Sequence, residues 1–81
     1  MKSSEILLCL DYANLEVFRN KEGICVMYKG ADIKCGIALK GEYGVGIDFE
    51  SACDDYLNKI RGKKLVFNVY GDNRKEIIVL G

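Results

Sequence analysis

The sequence predicts a single α+β domain over residues 1–81, in which an antiparallel sheet in the order β-β-β-α-β-β carries one helix on one face. Apolar residues follow a helical period in one segment only, about 49–61. On both sides of that segment, short runs rich in β-branched and aromatic residues are separated by glycine-containing turns. A chain of 81 residues can bury one modest core, so we expect one domain.

The segment before this helix predicts three strands. Residues 4–10 fit either a short helix after a serine cap or an apolar strand, and the cap favours the helix slightly. Residues 15–19 alternate as a strand does, a hairpin turn follows, and residues 24–28 return as a second strand. We expect a third strand over 33–43, with Gly36 as a bulge or bend.

The predicted helix has one apolar face, formed by Phe49, Ala52, Cys53, Tyr56, Leu57 and Ile60. Asp48 is suited to be its N-cap, because a carboxylate can accept hydrogen bonds from the free N–H groups of the first turn. Ile47 is placed to act as a hydrophobic staple, and Gly62 can supply a left-handed residue at the C-terminal end. Asp55 and Lys59 form an i, i+4 pair.

Two strands are predicted after the helix, at 65–70 and 76–80, around a turn at 71–73. The predicted strands carry apolar residues on both sides, and one helix covers only one face. The second face therefore needs the N-terminal segment or another copy of the chain. We predict a homo-oligomer, with a dimer favoured, and place the interface at Val66, Tyr70, Ile78 and Leu80.

Composition narrows the function classes. The chain has 12 basic and 12 acidic residues, so no net field favours nucleic acid, and no apolar run is long enough to cross a membrane. The 4 cysteines have neither histidine nor C-x-x-C spacing around them, which disfavours a metal site and indicates buried thiols in the cytoplasm. Without histidine, and with no evident base beside a nucleophile, we expect neither an enzyme nor a cofactor.

Glycines before a helix start, followed by basic residues after it, suggest a site for an anionic ligand such as a nucleotide at an oligomer interface. The candidate residues are Gly44, Gly46, Lys59, Arg61, Lys63 and Lys64. The competing interpretation is a tight structural turn, with the basic residues complementing the helix C-terminus. We favour it because Glu50, Asp54 and Asp55 put negative charge beside the turn and no phosphate-binding motif is present.

The segment 43–53, YGVGIDFESAC, resembles the G-x-T-x-x-E-A segment of HicB-type antitoxins, which have a partial double-stranded-RNA-binding-domain fold. Residues 60–67 are similar to the I-x-G-K-x-L-V-F continuation of small phage and prophage accessory proteins. Asp48 stands where the family has threonine and Ser51 where it has glutamate, which keeps a cap but loses the capping box.

The resemblance implies a non-catalytic phage-type accessory protein in the host cytoplasm, which binds a protein stoichiometrically and inhibits a host or defence factor. A nucleic-acid-binding or antitoxin-like module acting through residues 59–64 is one alternative, although the acidic helix start argues against it. An oligomeric binder of a small anionic ligand is the other alternative.

Overall fold

A computed structural model describes residues 2–80, with the side chain of Cys35 left aside. It is an α+β fold, as the sequence predicts. The helices are α1 (Ser3–Asp11) and α2 (Phe49–Ile60), and the strands are β1 (Leu15–Asn20), β2 (Gly23–Tyr28), β3 (Ala31–Cys35), β4 (Ala38–Lys40), β5 (Gly44–Gly46), β6 (Lys64–Phe67) and β7 (Lys75–Ile78). Neither of the helices in this described range is long and apolar enough to cross a membrane.

The strands form two antiparallel sheets that meet where β2 runs into β3. One sheet has the order β1-β2-β5, and the other has the order β4-β3-β6-β7. A turn at Lys29 and Gly30 joins β2 to β3, and the Gly30 carbonyl accepts a hydrogen bond of 3.0 Å from the Asn68 backbone N–H. The second sheet is therefore tied to the first at this bend.

The single strand predicted over 33–43 is wrong. The chain reverses at Gly36, whose φ of 62° lies in the left-handed region, and β3 and β4 pair with Cys35 opposite Ala38. A separate strand, β5, then pairs with β2. The strand predicted over 65–70 also ends early, at Phe67, because Asn68 turns into the left-handed region with φ 54°.

Helix α2 begins and ends as predicted. The Asp48 carboxylate accepts a 2.8 Å hydrogen bond from the Ser51 backbone N–H, and Gly62 has φ 77°. The apolar face is buried except at its first position, since Phe49 remains exposed. Ile47 is 93% exposed and does not act as the predicted staple.

The N-terminal segment forms the helix α1, and it packs beside α2. The Tyr28 hydroxyl donates a 2.6 Å hydrogen bond to the Leu7 carbonyl, which joins α1 to β2 inside the core. At the start of α1, the Ser4 backbone N–H and hydroxyl both donate to the Glu50 carboxylate, at 3.1 and 2.5 Å. A side chain from α2 therefore caps α1, because Lys2 at the N-cap position makes no side-chain cap.

The two helices share one core with the inward residues of both sheets, which include Tyr28, Ile33, Leu65 and Phe67. The opposite face of the second sheet differs from the prediction that both faces are apolar. One cross-strand row holds Asp32, Val66 and Glu76, and the next holds Lys34, Lys64 and Ile78. This face is mixed and largely charged, so the sheet does not require a second apolar layer.

Candidate functional site

An apolar groove of about 490 Å3 lies between the two helices and the end of β7. We call it the β7 groove, and its lining residues are Ile6, Leu10, Leu57, Arg61, Ile78, Val79 and Leu80. Ile78 and Leu80 are 65% and 85% exposed. Because scattered apolar residues on a surface are common but a lined apolar groove is not, this is the leading candidate for a binding surface.

Strand β7 is also the free edge of its sheet. The Val79 N–H donates to the Lys63 carbonyl at 2.9 Å, and the Val79 carbonyl accepts from the Gly62 N–H at 2.7 Å. Backbone groups alternate in direction along a strand, so those of Glu76 and Ile78 point away from β6. The groove is thus bordered by unpaired backbone donors and acceptors.

Arg61 gives this groove its one charged wall. It follows the last residue of α2, and its backbone N–H donates to the Leu57 carbonyl at 2.8 Å. Within residues 2–80, no carboxylate lies within ion-pair distance of its guanidinium. The groove therefore favours an apolar occupant with an acidic group near one end.

The four predicted interface residues lie in three different places. Ile78 and Leu80 line the β7 groove, while Tyr70 is fully exposed in the turn that follows β6. Val66 is completely buried within the single chain, so it is not available to a partner. It stands between Asp32 and Glu76 in its cross-strand row, and the 3.3 Å ion pair of Glu76 with Lys64 holds long side chains over it.

The predicted anion site at Gly44 and Gly46 gains no support, because the Cβ side of both glycines faces the α2 backbone and leaves no space for a ligand there. A Cβ at Gly44 would stand 2.3 Å from the Ala52 carbonyl oxygen, and one at Gly46 would stand 2.5 Å from the Ala52 nitrogen. These glycines let the α2 backbone lie directly on β5. The Val45 N–H that faces α2 donates to the Asp55 carboxylate at 2.9 Å, a bond that lowers the pKa of Asp55.

The predicted basic residues do not lie together at one site. The Lys59 ammonium lies 3.1 Å from the Asp55 carboxylate and donates a 2.9 Å hydrogen bond to the Tyr43 carbonyl. Lys64 forms an ion pair with Glu76 on the other face of the sheet. Arg61 lines the β7 groove.

Lys59 and Lys63 of this set line one pocket of about 120 Å3, together with Lys40 and Glu42. Lys40 and Lys59 lie 3.1 and 3.9 Å from the Glu42 carboxylate. Acidic neighbours thus offset the charge that an anion would need.

Nucleophilic chemistry has little support in the described residues. Burial raises the pKa of the Cys53 thiol to about 11, which suits a buried structural cysteine. Cys25 is buried too, whereas Cys9 is exposed, contrary to the prediction for it, and the side chain of Cys35 lies outside the described part. No group of three or more histidine, cysteine or acidic residues within residues 2–80 is placed to hold a metal ion.

Two of the acids at the start of α2 hold the first turn of α1. Glu50 binds Ser4, whose hydroxyl and backbone N–H lower the pKa of the Glu50 carboxyl, and Asp54 accepts a hydrogen bond from the Ser3 hydroxyl. Sequence reasoning missed this contact because its partners lie 46 and 51 residues apart. Ser3 and Ser4, the first two residues of α1, were the only local signal.

Comparison with protein-family models, with curated proteins and with solved structures finds no match to this chain. The resemblance to HicB-type antitoxins and to phage accessory proteins therefore stays a prediction.

Proposed function

We propose that this protein acts without catalysis, by stoichiometric binding of a protein partner, and that the β7 groove with the free edge of β7 is its binding surface. The observation that carries the proposal is the coincidence of two features in one place. Outward-facing backbone groups at Glu76 and Ile78 border a groove lined by Ile6, Leu10 and Leu57.

An extended segment of the partner satisfies both features at once. Its backbone adds a strand to β7, which supplies hydrogen bonds independent of sequence. Alternate side chains of such a strand point to opposite faces, so one set faces the apolar groove while the other faces the charged side of the sheet, where Lys34 and Lys64 lie. An acidic residue beside the apolar one then meets Arg61, which supplies selectivity.

The resemblance at residues 43–53 and 60–67 suggests the biological role. We propose that the chain is a phage-type accessory protein of the host cytoplasm, and that it inhibits a host or defence factor by binding to it. The balanced composition of 12 basic and 12 acidic residues supports a protein partner over nucleic acid.

The same edge also suits a second copy of the chain, and a dimer is the oligomer that we propose. Two antiparallel β7 strands can pair with Ile78 opposite itself, which sets Ile77 opposite Val79 of the second copy. A register centred on Glu76 instead sets two glutamates against each other, at an energetic cost. Dimer formation and partner binding would then compete for one surface.

Two variants test the surface. Leu80→Lys places a charge in the groove, and Ile78→Pro removes an outward N–H without removing a bond to β6. Val17→Lys, at an exposed position of 54% on the edge strand β1, is the matched control.

We expect an immobilised wild-type chain and Val17→Lys to capture one partner from phage-infected cells, and both groove variants to lose it. Titration calorimetry with the purified partner should give 1:1 binding of about micromolar affinity, weakened at least tenfold by Leu80→Lys. Equal capture by all four proteins would refute the assignment of the surface, and turnover of the partner would refute binding without catalysis.

Sedimentation equilibrium tests the dimer separately. The wild-type chain should sediment as a dimer at micromolar concentration, and Ile78→Pro as a monomer. A wild-type monomer throughout would refute the dimer and leave the partner surface in place.

A further inference from the structure

A second cleft, of about 440 Å3, opens at the bend between the sheets, and it shares no lining residue with the β7 groove. Its chemistry comes from Gly30, Asp32, Gly41, Asn68, Tyr70 and Gly71. The first three lie on or beside β3 and β4, and the last three follow β6. The hydrogen bond from the Asn68 N–H to the Gly30 carbonyl, at 3.0 Å, holds the two groups together.

Asp32 provides a half-buried carboxylate without a partner in the described chain. Within residues 2–80, no lysine or arginine nitrogen lies within 4.0 Å of it and no hydrogen bond reaches it. Asp11 and Asp55, in contrast, each lie about 3 Å from a lysine. A carboxylate without a cation beside it can take its partner from a bound ligand.

The cleft leaves this carboxylate accessible. A Cβ at Gly41 would already stand 3.6 Å from the Asp32 Oδ1 atom, so glycine at this position keeps the approach clear. Asn68 adds an acceptor, because its Nδ2 donates to the Asn73 carbonyl at 3.3 Å and leaves its Oδ1 free to accept. The cleft is therefore lined by two side-chain acceptors, the Asp32 carboxylate and the Asn68 Oδ1 atom.

Tyr70 adds an aromatic surface. Its side chain is fully exposed, so its ring contributes nothing to the core of the described chain. An exposed ring carries negative charge on its faces, which attracts a cation placed over it. Gly71 follows directly and puts no side chain beside the ring.

We propose that this cleft binds a guanidinium group, with Asp32 as its ion-pair partner and Tyr70 as its stacking surface. A guanidinium is planar, carries five N–H donors, and forms two parallel bonds to a carboxylate while it stacks on an aromatic ring. An ammonium ion offers no flat face for stacking, and an anion would be repelled by the Asp32 carboxylate. The group can belong to a small molecule or to an arginine side chain of another protein, since both present the same chemistry.

Heteronuclear NMR tests the chemistry with three isosteric or charge-matched probes: N-acetyl-arginine amide, N-acetyl-citrulline amide and N-acetyl-lysine amide. The arginine probe should shift the amide signals of Asp32, Tyr70 and Gly71 as it saturates. Citrulline has the same shape without charge, and its affinity should be at least about tenfold lower. Arginine binding no tighter than citrulline, or signals that move elsewhere on the protein, would overturn the proposal.

Variants assign the two roles. Asp32→Asn should weaken arginine binding about tenfold or more, and Tyr70→Ala should weaken it about two- to fivefold. The exposed pair Asp72→Asn and Tyr12→Ala are controls that should retain wild-type affinity. Undisturbed spectra elsewhere show that each variant is folded, and equal affinity across all four variants would overturn the assignment.

Titration with the peptides Gly-Arg-Gly and Gly-Lys-Gly then tests whether the guanidinium belongs to a small molecule or to an arginine of another protein. Tighter binding of the arginine peptide than of the single amino-acid probe assigns the cleft to an arginine in a protein segment. Equal or weaker binding assigns it to a small molecule. Because the probes contain no strand to pair with β7, failure here leaves the β7 groove untouched, and failure of the groove leaves this result standing.

Discussion

The contact of α2 with β5 makes Gly44→Ala the sharpest test of the fold. A Cβ at Gly44 would stand 2.3 Å from the Ala52 carbonyl oxygen and 2.5 Å from the Tyr56 nitrogen, whereas 3.4 Å is the start of ordinary contact. Both atoms belong to the helix backbone, which has no rotamer with which to yield. The helix must therefore move away from β5 by about 1 Å, since interiors are packed without spare volume.

That displacement would disturb the packing of the helix against the core, because Ala52, Cys53 and Tyr56 on its inner face are fully buried. Overpacking typically costs about 1–3 kcal/mol, and a backbone contact belongs at the upper end of that range. We therefore expect the free energy of unfolding to fall by about 3 kcal/mol or more. A domain of this size is stable by about 4–12 kcal/mol, so the loss is a large fraction of the total.

Urea unfolding followed by far-UV circular dichroism measures this change, and thermal unfolding should show a Tm lower by about 12 °C or more. The matched control is Gly41→Ala, where the new Cβ would be 3.6 Å from the Asp32 Oδ1 atom and so in ordinary contact. We expect the control to stay within about 0.5 kcal/mol of wild type. A loss below about 1 kcal/mol for Gly44→Ala, or equal losses for both variants, would refute the close helix–strand contact.

Two further changes test how α1 is attached. Tyr28→Phe removes the buried donor to the Leu7 carbonyl, so the free energy of unfolding should fall by about 1–3 kcal/mol in urea titrations, and an unchanged value would contradict the bond. Glu50 has its pKa lowered by the Ser4 hydroxyl, so its contribution is present above 4.5, the ordinary pKa, and is lost as pH falls through the lower folded value. Acid unfolding should therefore depend less on pH in Glu50→Gln, and identical pH profiles would exclude this attachment.

Helix α2 was predictable because all of its determinants are local. Asp48, the apolar period and Gly62 lie within one short segment, and each acts on its immediate neighbours. The β3–β4 hairpin was missed because Gly36 is followed by Ile37, without the Asn-Gly or Asp-Gly signal of a tight turn. A glycine inside an apolar run fits a bulge equally well, and only the pairing of the strands decides between them.

The surface was predictable only where strand alternation decides exposure. Ile78 is exposed as expected, but Val66 lies on the same face and is buried by charged neighbours from other strands. Both candidate sites combine residues distant in sequence, such as Leu10 with Leu80 and Asp32 with Tyr70. No local pattern contains such pairs, because the bend of the sheet and the packing of α1 create them.

The β7 groove and the cleft that contains Asp32 and Tyr70 lie at opposite ends of the β6–β7 hairpin, so variants of the two surfaces should have separate effects. Leu65 and Phe67 fix the hairpin in the core, whereas Tyr70 and Leu80 make no comparable contribution because they are exposed. A change at either exposed residue should weaken one binding activity and leave the other activity and the free energy of unfolding unchanged. A core change such as Phe67→Ala should instead weaken both activities in proportion to the lost stability. Loss of both activities from an exposed change in a stable protein would therefore show that the two surfaces belong to one site.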